Sequence, residues 1–205
     1  ILPAFALLGN LFGVRRNTST KARSAAPDGD KPNIILFVVD DLDVRTMQIM
    51  LANDLLPHIK SKIVNQAVEF RNAIVPTSIC SPSRATLLTG RYAHNHGVWH
   101  VLGQQGPQVF DDFVERTGNA YLPTWVGSEY YRAFVGKEHL GGSHPNWDFY
   151  VPVSGYDLRP GNYKAHENNI EVVPAQYQTR YIGDTAIRAL RSSGNKPVFM
   201  MVSTV

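Results

Sequence analysis

Apolar residues along this chain gather into short continuous runs, separated by polar, glycine-rich and proline-rich stretches, and those runs predict strands. Residues 33–39 (NIILFVV) are apolar without alternation, the pattern of a strand covered on both faces. Residues 68–75 predict a second strand. Residues 131–135, running into Gly136, predict a third, and residues 198–202 (VFMMV) a last one. Between the runs the spacing becomes helical. A helix is predicted over 57–66 behind Pro57, and a short one opens at Pro123, since proline suits the first helical turn. Tyr177, Tyr181, Ile182, Ala186, Ala189 and Leu190 make a helical stripe across 175–191, with Pro174 before it and Gly194 after it. The stretch before Pro123 and residues 140–174 show no clean period and predict mostly loop. Alternating strands and helices imply an α/β fold with a largely parallel central sheet flanked by helices.

Composition narrows the picture. A chain of 205 residues with 43% hydrophobic content suits one globular domain. No run of eighteen or more apolar residues exists, so no membrane span is predicted. Residues 1–31 read as an apolar leader plus basic linker, and residues 32–205 as the domain. Residues 1–14 resemble the apolar part of a secretory leader, with a hydrophobic arm of the mature protein as the alternative. Residues 15–26, basic and without acids, also suit an organelle transit peptide. Asn17-Thr18-Ser19 fits a glycosylation acceptor. The net charge of +3 comes from this segment, where Arg15, Arg16, Lys21, Arg23 and Lys31 face only Asp28 and Asp30. The rest is balanced, which argues against a nucleic-acid partner. A single cysteine excludes an intrachain disulfide, and an unpaired thiol is awkward in a secretory protein.

That cysteine, Cys80, opens the most informative stretch, CSPSRATLLTGRY over residues 80–92. Ser81 reads as a helix N-cap, with Pro82 at the first helical position and Gly90 as a left-handed stop. Cys80 then sits just ahead of a helix N-terminus, which favours an anion, and Arg84 is one turn further in. Asp40-Asp41 stand at the carboxyl end of the first predicted strand, where open α/β sheets bind ligands. Adjacent carboxylates there read either as a capped turn or as a site for a hard cation. Asp43 competes for the same assignment. Lys137 and His139, in GKEHLG, would by themselves pass for surface residues. His94, His96 and His100 form H-x-H-x-x-x-H, a weak zinc pattern, and read instead as the rim of a pocket.

The C-x-P-S-R followed by L-L-T-G-R resembles the signature of the formylglycine-dependent sulfatases, a family that includes arylsulfatases and N-acetylglucosamine-6-sulfatases. The resemblance covers residues 32–205 and implies an alkaline-phosphatase-like fold, incomplete here at its C-terminal side, with this chain an N-terminal part of the catalytic domain and inactive alone. It implies that a formylglycine-generating enzyme oxidises Cys80 to an aldehyde whose hydrate attacks the sulfur of sulfate esters, aryl or carbohydrate. It makes Asp40, Asp41 and residue 80 ligands of Ca2+ or Mg2+, and makes Arg84, Lys137 and His139 catalytic, with Lys137 on a sulfate oxygen and His139 on the formylglycine hydroxyl. The family usually shows G-K-W-H-L-G at 136–141. Glu138 stands in place of that Trp and is expected to change an outward-facing neighbour. Ser154 resembles a residue that supplies a hydroxyl to the nucleophile. Further metal ligands, an acid His and a second Lys are expected downstream. The implied location is the secretory pathway, secreted or lysosomal. Rival readings are a phosphodiesterase or phosphonate hydrolase of the alkaline phosphatase superfamily, and a non-catalytic binder of sulfated glycans with Cys80 unmodified.

Overall fold

A computed structural model describes residues 6–9, 31–70, 72–142 and 144–205. In chain order its elements are β1 (Ala6–Gly9), β2 (Asn33–Val39), α1 (Val44–Ala52), α2 (Pro57–Ile59), α3 (Cys80–Thr89), α4 (Ala93–His96), α5 (Gln108–Arg116), α6 (Leu122–Val126), β3 (Tyr131–Lys137), β4 (Phe149–Ser154), β5 (Lys164–Glu167), β6 (Ile170–Val172), α7 (Gln178–Ser192) and β7 (Val198–Thr204). The strands form one sheet in the order β1-β2-β7-β3-β4-β5-β6. Its centre, β2-β7-β3-β4, is parallel, and the outer pairs are antiparallel. The predicted α/β architecture with a largely parallel core is therefore present, trimmed by short antiparallel edges. Of the segment read as a leader, Ala6–Gly9 pairs with β2. The remaining leader, linker and glycosylation readings fall outside the described residues.

The apolar runs of β3 and β7 bury both faces. On one face Ala133, Val135, Val198, Met200 and Val202 pack against Tyr181, Ile182, Ala186 and Ala189 of α7. On the other, Phe134 and Met201 meet Ala85 and Leu88 of α3 and Phe110, Phe113 and Val114 of α5. The expectation that β2 is covered on both faces is corrected. Leu36 and Val38 join the second cluster, but Phe37 is 49% and Val39 42% exposed. The cause is placement, because α7 packs on β3 and β7.

Three further expectations are corrected. Residues 68–75 form no strand, and Val68, Phe70 and Ile74 are exposed. β2 already has β7 on one side and β1 on the other, so it offers that segment no edge. The helix predicted over 57–66 narrows to one short α-helical turn continued by a π-helical turn at Lys60–Val64. Finally, α5 and β4 to β6 arise where mostly loop was predicted, and α1 where no element was. Pro152 is tolerated inside β4 because the outer side of that strand is paired with β5 only at Val153 and Ser154.

Candidate active site

The carboxyl ends of the parallel strands gather the residues singled out in the sequence. β2 delivers Asp40 and Asp41, and β3 ends in Lys137. α3 brings Cys80 and Arg84 across them. The helix begins two residues earlier than predicted. Its N-cap is Ile79, without a side-chain cap, so Cys80 is the first helical residue and Ser81 is not the cap. Ser81 instead donates its Oγ–H to the carbonyl of His139 at 2.6 Å, joining the helix to the loop after β3. The other end follows the prediction. Gly90 takes a left-handed conformation at φ 62°, and its N–H closes on Thr86 O at 2.8 Å.

Arg84 is buried under Cys80 and donates three ways: to Lys137 O at 2.5 Å, to the Asp40 carboxylate at 3.2 Å, and to Ser203 Oγ. Lys137, also buried, sets its Nζ on Asp40 Oδ2 and lies 3.6 Å from Cys80 Sγ. Asp40 Oδ2 is 3.8 Å from the same sulfur. Burial alone would raise the Asp40 carboxyl, but the hydrogen bonds and charges of Lys137 and Arg84 outweigh it and hold it below its ordinary value. The strand geometry behind this contact rests on Gly136. It has φ 112°, and a Cβ there would run into the Ser203 carbonyl of β7. Only glycine lets β3 approach closely enough for Arg84 to reach both strands.

His139 follows in a left-handed conformation, φ 56°, which costs a non-glycine residue roughly 1–2 kcal/mol and therefore needs local support. Burial first, then the positive charges of Lys137 and Arg84, lower its pKa, so the ring is neutral near pH 7. Its Nε2 lies 3.4 Å from the Tyr156 hydroxyl. Its Nδ1 is closed off from solvent without a hydrogen-bond partner among the described residues. Such an unpaired buried atom calls for a partner, which a bound ligand could supply. Tyr156, not singled out in the sequence, places its ring 4.5 Å from Lys137 Nζ. Ser154 ends β4 with its side chain exposed.

Asp40, Asp41 and Cys80 place one ligand atom each within 4.8 Å of one another. Among the described residues this is the single such group. Asp41 is itself left-handed, φ 53°, which turns its carboxylate away from the strand direction. The residues fit a hard divalent ion. Two carboxylates converge, and the cations already on Asp40 show that the pocket holds positive charge against it. A thiol is a soft third donor, whereas an oxygen at position 80 would complete a hard set. Asp43 takes no part, because its carboxylate caps α1 by accepting from Thr46 N and Thr46 Oγ1.

Two sequence readings change here. His96 does not line a rim. It is fully buried, its Nδ1 accepts from Val98 N at 3.1 Å, and its Nε2 meets Thr86 Oγ1 at 3.1 Å. With both nitrogens engaged it is unavailable to zinc, while His94 and His100 are exposed. Glu138 does not face outward either. It is 7% exposed and binds the N–H groups of Leu140 and Gly141 and the ring of His144.

Residues 32–205 match the Sulfatase family model. An N-acetylglucosamine-6-O-sulfatase of Bacteroides thetaiotaomicron is 28% identical over 83% of this chain and 30% of its own length. An extracellular sulfatase SULF-1 homolog of Drosophila melanogaster is 39% identical over 84% of this chain and 16% of its own. A solved structure of a protein in complex with its substrate, D-glucosamine-2-N,6-O-disulfate, superposes with TM-score 0.64 at 25% identity, over 85% of this chain and 34% of that one. The chain spans between 16% and 34% of these proteins, and the sheet is that of an alkaline-phosphatase-like fold. A helix carrying Cys80 across paired carboxylates, and a family match over residues 32–205, lead to one statement: this chain belongs to the sulfatase family.

Proposed function

We propose that these residues form the nucleophile half of a sulfate-ester hydrolase acting on sulfated carbohydrate. The observation that carries the proposal is the approach of Lys137 Nζ and Asp40 Oδ2 to within 3.8 Å of Cys80 Sγ, above the buried Arg84. Formally, two carboxylates face two cations, so the site is neutral as it stands. A divalent ion would make it doubly positive, which suits an anionic ester.

Cys80 converted to formylglycine would supply a hydrated aldehyde as nucleophile, and Ca2+ or Mg2+ on Asp40, Asp41 and residue 80 would polarise it. The roles of the chain's own residues follow from their positions. Lys137, beside Cys80 Sγ and on Asp40, would neutralise a sulfate oxygen. Arg84 fixes Asp40 and the end of β3. His139, neutral and with Nδ1 unpartnered, offers a hydrogen bond to the nucleophile's hydroxyl. Charge that develops during transfer thus meets donors already in place, usually the largest catalytic contribution. The relatives include both N-acetylglucosamine-6-sulfatases and arylsulfatases; the solved complex with a sulfated glucosamine supports the carbohydrate reading, and the extracellular relative supports passage through the secretory pathway.

The test is made on the full-length protein carrying these residues, produced with a formylglycine-generating enzyme. Peptide mass spectrometry across residue 80 should show a loss of about 18 Da, thiol replaced by aldehyde. The protein should release sulfate from 6-O-sulfated glucosamine faster than from an aryl sulfate. An intact thiol at residue 80, with binding of sulfated glycan and no turnover, would replace this reading by the binder; faster cleavage of a phosphodiester would replace it by the phosphodiesterase.

A further inference from the structure

Glu138 stands between Lys137, the last residue of β3, and His139, yet its own side chain runs into the interior. Its Oε2 accepts the N–H of Leu140 at 2.8 Å and that of Gly141 at 3.1 Å. Its Oε1 is bound by Nε2 of His144. His144 is buried, edge-on to Phe110 at 5.1 Å and to Tyr150 at 6.3 Å. The far nitrogen of that ring lies 3.4 Å from Asp111 Oδ1, without meeting hydrogen-bond geometry. The Asp111 carboxylate fills the space a Cβ on Gly142 would need. A chain of polar groups thus runs from the turn after His139 through Glu138 and His144 to α5.

The turn explains why such an anchor exists. With His139 left-handed, the next two N–H groups point inward, where an unpaired donor is costly. One carboxylate oxygen satisfies both. From the opposite side Ser81 Oγ holds the His139 carbonyl. The His139 backbone is therefore gripped from the motif helix above and from Glu138 below. A tryptophan, the residue the family resemblance leads one to expect here, has no acceptor and cannot make this grip.

We propose that Glu138, held by His144, is a positioning residue that fixes the left-handed turn at His139 and so aims His139 and Lys137 at residue 80. This deepens the sulfatase reading and rests on it. The substrate is not touched by Glu138; its effect passes through the turn.

The experiment compares Glu138→Gln, Glu138→Met and His144→Gln in the full-length protein. Three readouts are taken: amide hydrogen exchange at Leu140 and Gly141, the His139 ring resonances, and kcat and KM for a sulfate ester. Glu138→Gln keeps an acceptor oxygen and should leave kcat within about threefold. Glu138→Met should speed exchange at both amides about tenfold or more, because local opening no longer breaks their hydrogen bonds. It should shift the His139 resonances and lower kcat at least about tenfold with KM little changed, since misplacement by about 1 Å costs on the order of 10²-fold. His144→Gln should fall between the two. The proposal is overturned if Glu138→Met leaves the two amides protected, or if its activity falls only with the folded fraction. It is also overturned if Glu138→Gln is as damaging as Glu138→Met. Should the unmutated protein cleave no sulfate ester, the sulfatase reading falls, while amide exchange and the His139 resonances still decide on the grip.

Discussion

Arg84 and Ser203 are 119 residues apart and meet side chain to side chain beneath Cys80. The same guanidinium reaches Lys137 O on β3 and Asp40 at the end of β2, so one residue of α3 fastens three neighbouring strands. A lysine presents one ammonium on a flexible stem and cannot span acceptors in that fork. Arg84→Lys is expected to cost about 2 kcal/mol of stability through the unmet acceptors. It should also lower kcat about 10²-fold by loosening Asp40 and Lys137. Urea midpoints and steady-state rates on the full-length protein check both.

Metal dependence should show first in stability. Saturating Ca2+ at about 100 times its Kd should stabilise the fold by about 2.7 kcal/mol, and a chelator should remove that gain. Asp41→Asn should shrink it. Asp41 is the informative position because Asp40→Asn would also strand the buried Arg84 and Lys137, a separate cost of about 3–5 kcal/mol. Thermal melts with and without Ca2+ distinguish the two variants.

His96 predicts an acid limit. Burial first, then the neighbouring His94, lower its pKa from 6.5 to about 4. Between those values the unfolded chain binds the proton and the folded one does not. Stability therefore falls as pH drops from 6.5 towards 4, by about 1.4 kcal/mol per unit at most. Below pH 4 both states are protonated and this contribution levels off. Replacing His96 with Gln should flatten the dependence in denaturant titrations run across that range.

Gly136→Ala should be severe. Its Cβ would meet the Ser203 carbonyl, which belongs to a central strand and cannot move aside cheaply, and φ 112° adds strain. A loss of more than about 4 kcal/mol is expected, at the far end of single substitutions. Ala at Gly90, where a Cβ has open space, should cost only about 1 kcal/mol from its left-handed backbone. Paired denaturation curves read the difference.

The parts of the fold that were legible in the sequence are those where one residue run meets one neighbour type. β7 and the inner part of β3 are buried on both faces, so the apolar runs 198–202 and 133–135 suffice, and α7 shows its stripe because a single face meets the sheet. α5 was hidden by its nine-residue length, with Gly103, Gly106 and Pro107 just before it, although Phe110, Phe113 and Val114 are spaced for a helix. β4 carries Pro152, and β5 and β6 are too short for a period to show. At the site, Cys80, Asp40, Asp41, Arg84, Lys137 and His139 were all named from motifs, and the structure brings them together. Ser203, Tyr156 and the inward role of Glu138 were not. Each depends on where a distant backbone lies: Ser203 on Gly136, Tyr156 on Lys137, and Glu138 on a turn that only the packed loop creates.

β7 lies in the middle of the sheet yet is the last described strand to leave the ribosome. Until it emerges, β2 and β3 have no common neighbour and Arg84 has no third strand to bind. At about 5–20 residues per second, the 119 residues between Arg84 and Ser203 take on the order of ten seconds to synthesise. During that interval the set of contacts that holds Arg84 beneath Cys80 stays incomplete, so the helix carrying both is the last part of the site to lock.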